Sequence, residues 1–209
     1  MMYIARILYP VKVLGPGNRI GIWMNGCEFA CKGCSNPELW RQQSRYKVPM
    51  NAVSVMIDSI CANHCVDGFT LTGGEPFYQP EALEELLPYL SSINQDVLVY
   101  TGYEYGHIQN KYIHLLKYIS VLIDGKYIDE RNKGLVLRGS DNQNIYFLMD
   151  KYKAVYQLYI QHTRSRIQNF STVDGVISVG IHLPGYGDQI RQMMEKKGLE
   201  ELSDGGIYS

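Results

Sequence analysis

Three closely spaced cysteines constrain this chain of 209 residues more than any other feature. Cys27, Cys31 and Cys34 form a C-x3-C-x2-C run, which brings three thiolates onto one short loop. A four-iron, four-sulfur cluster is normally held by four cysteine thiolates. Three thiolates would hold three of its irons and leave the fourth open to a ligand that is not protein. The run therefore predicts a 4Fe-4S cluster whose metal ligands are these three cysteines.

Two other uses of cysteine fit this sequence less well. A structural zinc site usually pairs two separated halves such as C-x2-4-C and H-x3-5-H, and no second half of that kind follows the run. Disulfide frameworks are typical of short secreted chains. This chain is long, has an odd number of cysteines and shows no secretory signal pattern. We expect a soluble protein in a reducing cytoplasm.

The charge balance and hydropathy exclude two classes of partner. Lys and Arg number 20 and Asp and Glu 21, a formal net charge of −1, so no strong basic field indicates nucleic acid. The longest apolar stretches are far below the ~20 residues of a membrane helix. We expect no nucleic-acid and no membrane partner. The length fits one domain with a small appendage.

Strand-like and helix-like patterns alternate through the first two thirds of the chain. Four short runs, β-branched or aromatic, read as buried strands: 19–25, 68–72, 96–101 and 119–123. Helical spacing marks the segments between them: 51–65, 80–90 and, more weakly, 107–118. The alternation predicts a parallel sheet with right-handed crossovers, in which chemistry lies at the carboxyl ends of the strands.

Each predicted strand ends at an unusual segment. These segments are the cysteine loop, Gly73-Gly74-Glu75-Pro76, Tyr100-Thr101-Gly102-Tyr103 and Asp124-Gly125-Lys126. Because parallel strands share one carboxyl edge, we expect the four segments to form one site.

The cysteine run and the Gly-Gly-Glu-Pro that follows forty residues later resemble the radical S-adenosyl-L-methionine (SAM) superfamily. Most members carry an aromatic residue before the third cysteine, whereas Gly33 stands there in this chain. That glycine resembles the activating proteins of anaerobic ribonucleotide reductases. The Val121-x-x-Asp124-Gly125-Lys126 pattern and the Arg138-Gly139-Ser140-x-Asn142-Gln143 segment match the same proteins. The resemblance covers residues 11–143 approximately, about two thirds of the chain.

The resemblance implies a fold and a division of the chain. The fold class is α/β, with a partial (β/α) barrel of the radical SAM type in residues 1–150. A complete barrel typically takes about 250 residues, so a shorter one leaves a wide lateral opening. Residues 151–209 are expected to form a C-terminal extension, a hairpin followed by a helix, packed on the same domain.

The resemblance also implies the chemistry. The open iron binds the amino and carboxylate groups of SAM, and one electron cleaves SAM into methionine and a 5′-deoxyadenosyl radical. Glu75 is the expected polar anchor near the amino group, and Lys126 is expected to pair with the carboxylate. Asp124 would hold Lys126 or a cation. Besides the catalytic cysteines, the expected cofactor-binding residues are Gly33, Gly73, Gly74, Glu75, Thr101, Asp124 and Lys126.

Two functions from the same superfamily remain open at the sequence level. The leading one is a glycyl-radical activating enzyme, an oxidoreductase whose partner is an anaerobic ribonucleotide reductase. The alternative is a radical SAM enzyme acting on a small molecule or a ribosomal peptide. No flavin or second-cluster motif is present, so an external one-electron donor such as flavodoxin or ferredoxin is implied. A metal-binding module without catalysis is the third hypothesis.

The last quarter of the chain is less informative. Residues 166–172 and 175–182 alternate as a hairpin with Asp174-Gly175 at its turn, and a helix carrying Ile190, Met193 and Met194 is expected from Gly185 onward. Periodicity does not decide between helix and strand for 152–160. His182 could reach SAM, although a satisfied structural histidine is the simpler interpretation.

Two further cysteines, Cys61 and Cys65, fall on one face of a predicted helix. Free cysteine commonly acts as a small buried hydrophobe, and we expect that role for both residues rather than metal ligation.

Overall fold

The computed structural model describes residues 1–172 and 175–196 of the chain. Asp174 of the expected turn and residues 197–209 of the expected extension lie outside the described residues, as does the side chain of Met194.

Nine strands and five α-helices lie within the described residues. The strands are β1 Met2–Val11, β2 Arg19–Met24, β3 Lys47–Val48, β4 Gly68–Gly73, β5 Val97–Tyr100, β6 Val121–Asp124, β7 Asn144–Phe147, β8 Ile167–Thr172 and β9 Gly175–Gly180. The helices are α1 Met50–Asn63, α2 Pro80–Ile93, α3 Tyr105–Leu116, α4 Asp150–His162 and α5 Tyr186–Lys196.

Seven strands form one open sheet in the order β3-β1-β2-β4-β5-β6-β7. The central pairs β2–β4, β4–β5 and β5–β6 are parallel, while β1 and β7 add antiparallel strands on either side. The described residues do not close this sheet into a barrel. The architecture is mixed α/β with a parallel centre, and the four strands predicted from sequence are that centre.

Burial on both faces explains why the central strands are mostly apolar. Val97 and Val99 of β5 pack into the cluster that contains the helices α1, α2 and α3, whereas Leu98 packs on the opposite face with Tyr156 of α4. All three β5 residues are fully buried. Each buried aliphatic side chain contributes about 1.5–3 kcal/mol relative to exposure, so the sheet carries much of the folding energy.

A buried ion pair ties together the amino ends of the parallel strands. Arg19 is fully buried, and its Nη1 lies 2.7 Å from Asp96 Oδ2 while its Nε donates to Thr70 Oγ1 at 2.8 Å. Asp96 Oδ1 also accepts from Ser120 Oγ and from Tyr156 Oη, each at 2.8 Å. Removing one partner of such a pair typically costs about 3–5 kcal/mol. The network therefore fixes α4 against the strands at the edge opposite to their carboxyl ends.

The strands β8 and β9 form a separate two-stranded hairpin. Val179 of β9 packs in a cluster with Val11, Leu14, Trp23 and Leu39, so the hairpin covers the side of the sheet near β1 and β2. The end of β1 is also tied to β8, since Gln168 Nε2 donates to the Pro10 carbonyl at 2.7 Å.

The structure settles the segment that periodicity left open, because residues 150–162 form the helix α4. The expected hairpin and terminal helix are also present. The strands β1 and β7 were not predicted from the sequence. Within the described part of the chain, no helix is both long and apolar enough to cross a membrane.

Candidate functional site

The carboxyl ends of β2, β4, β5 and β6 open onto one cavity. Its walls include the three cysteines together with residues from all four expected segments: Gly73, Gly74, Glu75, Thr101, Gly102 and Gly125. The four segments that the sequence placed at one sheet edge therefore do meet there. The walls enclose about 180 Å³. This volume is below the range of about 300–1,000 Å³ that is typical of small-molecule sites.

Two glycines shape the cysteine loop. Gly26 and Gly33 have φ of +109° and +72°, a left-handed conformation that residues with a Cβ rarely adopt. A Cβ on Gly33 would also clash with the Asp129 carboxylate. The start of the loop is held by the segment that follows it, because Cys27 N donates to the Trp40 carbonyl at 2.9 Å. Glycine is thus required at both positions by the path of the backbone.

The three thiols line one cavity without converging on a single point. Within the described residues, no three His, Cys, Asp or Glu side chains are grouped so that they could hold one metal ion. Each iron of a 4Fe-4S cluster takes its own thiolate, so a cluster does not require that convergence. Burial raises the pKa of Cys27, Cys31 and Cys34. Ligation would therefore displace a proton from each thiol.

Gly73 packs against the end of β2, and Gly74 packs against the start of the cysteine loop. A Cβ on Gly73 would lie 2.6 Å from the Met24 carbonyl oxygen, and one on Gly74 would clash with the Gly26 carbonyl. Gly74 N donates to the Met24 carbonyl and Glu75 N to that of Gly26, both at 2.8 Å. The missing side chains therefore allow the end of β4 to hold the backbone just before Cys27, a contact that the sequence did not reveal.

Glu75 joins two neighbouring strand ends. Its Oε1 accepts from Phe77 N and Thr101 Oγ1, both at 2.9 Å, and its Oε2 accepts from Gly102 N at 2.7 Å. The side chain is buried, and burial raises its pKa to about 7, although these hydrogen bonds oppose the rise. The Glu75 carboxylate thus connects the ends of β4 and β5 within the wall of the cavity.

Three of the expected cofactor-binding residues lie outside the cavity wall. Asp124 is buried and accepts from Tyr105 N at 2.7 Å and from the Asn144 side chain at 3.0 Å. Lys126 is exposed, with its Nζ 6.0 Å from the centre of the Phe29 ring, and Gly33 is exposed on the cysteine loop. Asp124 is therefore engaged by the backbone and by Asn144, while Lys126 lies at the surface beside the cysteine loop, near the ring of Phe29.

A family comparison agrees with the cysteine-lined cavity. Residues 13–146 match the model of the 4Fe-4S single cluster domain family, which is more than half of the chain. This chain belongs to the 4Fe-4S single cluster domain family.

Individual relatives give a more specific comparison than the family model does. Proteins named anaerobic ribonucleoside-triphosphate reductase-activating protein are 34% identical over 145 residues in Enterobacteria phage T4, 34% over 155 residues in Haemophilus influenzae and 30% over 148 residues in Escherichia coli K12. The matches cover 66–67% of this chain and 90%, 94% and 96% of those proteins, respectively. The chain therefore shares a family with these activating proteins.

This 4Fe-4S single cluster domain protein has a cavity wall that lies beyond the matched region. Residues 178–182, from β9 and the segment after it, line the cavity together with the strand ends. Sequence reasoning identified the hairpin but gave no signal that it would face the cysteines, because that placement depends on packing between distant segments.

Unpartnered polar atoms in this family member face the same cavity. Three buried atoms have no hydrogen-bond partner among the described residues: Trp40 Nε1, Tyr100 Oη and His182 Nε2. The Trp40 indole lies beside Cys34, where it favours the thiolate without completing a hydrogen bond. An unsatisfied buried polar group typically costs about 1–3 kcal/mol, so water or a polar ligand in the cavity would stabilise all three. Within the described part of the chain, His182 Nε2 has no partner, so the expectation of a satisfied structural histidine is wrong for that atom.

The remaining cysteines of the protein lie away from the cavity. Cys61 is half-buried and packs against the main core cluster, as expected for a small hydrophobe. Cys65 is exposed, so the expectation that it is buried is wrong. The helix α1 ends at Asn63, which places Cys65 in the loop beyond it.

Proposed function

We propose that this chain is a radical SAM activating enzyme that generates a glycyl radical on an anaerobic ribonucleotide reductase. When bound, the 4Fe-4S cluster and SAM supply the chemistry: one electron cleaves SAM to methionine and a 5′-deoxyadenosyl radical, which takes a hydrogen atom from a glycine of the partner. The names of the relatives and the cysteine-lined cavity support this proposal.

The residues present fit both groups. Cys27, Cys31 and Cys34 would hold the cluster, since their thiols line one cavity and each is at least partly buried. The unpartnered Tyr100 Oη and His182 Nε2 offer polar contacts to a second ligand in the same cavity.

The other site residues divide into positioning and binding roles. Gly74 and Glu75 position the cysteine loop and the end of β5 through the hydrogen bonds described above, and Gly73 packs closely against Met24. Thr101 secures Glu75. Lys126, exposed beside the loop, is the residue that we propose to meet the carboxylate of SAM at the cavity mouth.

We further propose that residues 1–150 are the partial (β/α) barrel core and that 151–209 form an extension on the same domain. The parallel strands β2, β4, β5 and β6 carry all four site segments, which is the expected order. The bond from Tyr156 to Asp96 joins α4 to that core. The open sheet suits a loop of another protein as substrate. The electron would come from a cytoplasmic donor such as flavodoxin or ferredoxin.

The observation that carries the proposal is the meeting of Cys27, Cys31 and Cys34 with Gly73–Glu75 at one cavity. The test is electron paramagnetic resonance of the reductase encoded in the same genome, after anaerobic incubation with this protein, SAM and dithionite. We expect a glycyl-radical doublet from the remaining Cα hydrogen.

Cys31→Ala should abolish the doublet and lower iron content, whereas Cys61→Ala is the matched control and should retain both. Equal loss of iron in the two variants would contradict the ligand assignment. A normal cluster with SAM cleavage that responds only to a small molecule or a peptide would contradict the activating function.

A further inference from the structure

A second groove lies beside the site, between the segment 133–138, the end of α4 and the residues around α5. It has a volume of about 720 Å³. Four cations line it, and we call it the cationic groove: Lys133, Arg138, Arg164 and Arg166. No Asp or Glu is among its lining residues. This concentration of one sign contrasts with the chain's formal net charge of −1.

The cations of the cationic groove are available to a ligand. Lys133, Arg164 and Arg166 are exposed, and among the described residues none of the four forms an ion pair with a carboxylate. Arg138 donates one N–H to the Gln143 carbonyl at 3.2 Å. Its Nε is buried and has no hydrogen-bond partner among the described residues. Clustered charges of one sign steer oppositely charged partners and raise association rates.

Apolar side chains form the floor of the cationic groove. Leu135, Val136 and Ile167 line it, and Leu183 lines it with 57% of its surface exposed. A phosphate group, free or in a nucleotide, would gain little binding energy from contact with these apolar side chains. A polypeptide that alternates acidic and apolar side chains would use both the floor and the charged rim.

The cationic groove is adjacent to the cysteine-lined cavity. Ile181 lines both, His182 lines the cavity and Tyr186 lines the groove. The rings of His182 and Tyr186 are stacked, with centroids 4.5 Å apart and an interplanar angle of 3°. One layer of side chains therefore separates a ligand in the groove from the proposed reaction site.

We propose that the cationic groove docks an acidic, partly apolar segment of the reductase and so holds its glycine loop at the cavity mouth. This inference rests on the proposed function, and it adds the surface by which the partner is recognised. Much of the groove comes from residues 160–189, beyond the part of the chain that the family model matches. The groove is thus an addition of this chain to the shared core.

The first test uses a probe that requires neither cluster nor SAM. Fluorescence anisotropy should show binding of a labelled peptide of ten glutamates, weakening as salt rises because exposed charges are screened. The triple variant Lys133→Glu, Arg164→Glu, Arg166→Glu should bind the peptide about tenfold or more weakly than wild type. Three exposed lysines outside the groove give a matched control with the same change of charge: Lys111→Glu, Lys117→Glu and Lys153→Glu.

The second test measures binding of the reductase itself to wild type and both triple variants by surface plasmon resonance, with thermal unfolding midpoints to confirm folding. The groove variant should lose at least tenfold in affinity, and the control should retain it. Equal affinities for the reductase would overturn the docking surface. If inorganic triphosphate displaced the peptide stoichiometrically at low concentration, the groove would be a phosphate site instead.

One competing occupant is part of the same chain. Glu200, Glu201 and Asp204 are acidic and lie outside the described residues. If neutralising them as Gln, Gln and Asn in the full chain raised peptide affinity tenfold, the tail would be the occupant and the proposal would be wrong. Failure of wild type to produce any glycyl radical, with the reductase still bound through the groove, would refute the proposed function and leave the docking surface standing.

Discussion

At the scale of single residues, the glycines of the cysteine loop show how backbone geometry limits the sequence. Gly33 adopts φ +72° and lies against Asp129, so both the conformation and the space exclude a side chain. The sequence marked Gly33 as unusual only through a family resemblance. Its neighbour Asp129 is distant in sequence and could not be identified without the fold.

Gly33→Ala should loosen the cysteine loop. A left-handed conformation costs an L-residue about 1–2 kcal/mol, and the clash with Asp129 adds to that cost. We expect lower iron retention during anaerobic gel filtration, partly restored in the double variant Gly33→Ala, Asp129→Ala. Gly106→Ala is the matched control, because α3 has open space there and alanine favours a helix by about 0.8–1.0 kcal/mol. Iron retention equal to wild type in Gly33→Ala would contradict this account.

Glu75 predicts a specific pH dependence. Its pKa in the folded protein is about 7, above the ordinary 4.5, so between these values the folded chain holds a proton that the unfolded chain releases. Stability from this group is therefore complete below pH 4.5 and is lost as pH rises to 7, by roughly 3 kcal/mol. Glu75→Gln removes this titration.

The measurement for Glu75 is urea unfolding of cluster-free wild type and Glu75→Gln protein at several values between pH 4.5 and 8. The difference in free energy of unfolding, wild type minus variant, should fall up to about pH 7 and then level off. A difference that stays constant with pH would show that the carboxyl titrates normally.

At the scale of elements, the site depends on how strand ends support each other. The end of β4 contacts the end of β2 through Gly73 and the loop after β2 through Gly74, and Glu75 connects it to the end of β5. Residues far apart in sequence thus act as one support for the cysteines. The sequence identified both glycines as expected cofactor-binding residues and did not reveal this support.

Gly74→Val should therefore damage the cluster site itself. Its side chain would meet the Gly26 carbonyl, beside Cys27, and could not be accommodated without moving the loop. We expect reduced iron content after reconstitution and a loss of stability of about 1–3 kcal/mol, as is usual for overpacking. Gly187→Ala, where nothing lies within 4 Å, is the control. Full iron content together with weakened SAM binding would contradict this account and would indicate that Gly74 serves SAM binding alone.

The central strands were predictable, and the outer ones were not, for a physical reason. Residues of β5 and β6 are nearly all buried, and apart from the final Asp124 of β6 their sequence is apolar. Most residues of β1 are only half-buried, and it ends with a proline next to its last residue, so its pattern is mixed. The helix α4 buries only Tyr156 completely, which explains why its periodicity was ambiguous.

At the scale of the whole molecule, the two edges of the parallel sheet have different tasks. The amino ends carry the buried Arg19–Asp96 network, which fixes the strands and α4. The carboxyl ends carry the cysteines, the glycines and the unpartnered Trp40 and Tyr100. The sequence predicted that the cysteine loop and the three later segments would meet at the carboxyl edge, and residues of all four line one cavity there. It did not predict that the β8–β9 hairpin contributes a wall of the cavity, because a local sequence pattern does not indicate which distant surface a hairpin covers.

The most direct measurement of the central claim follows the transferred hydrogen. The reductase is produced with glycine deuterated at Cα and incubated anaerobically with this protein, SAM and dithionite, and 5′-deoxyadenosine is analysed by mass spectrometry. We predict deuterium in 5′-deoxyadenosine in proportion to the glycyl radical formed. Unlabelled 5′-deoxyadenosine, formed at the same rate with and without the reductase, would contradict the proposed function.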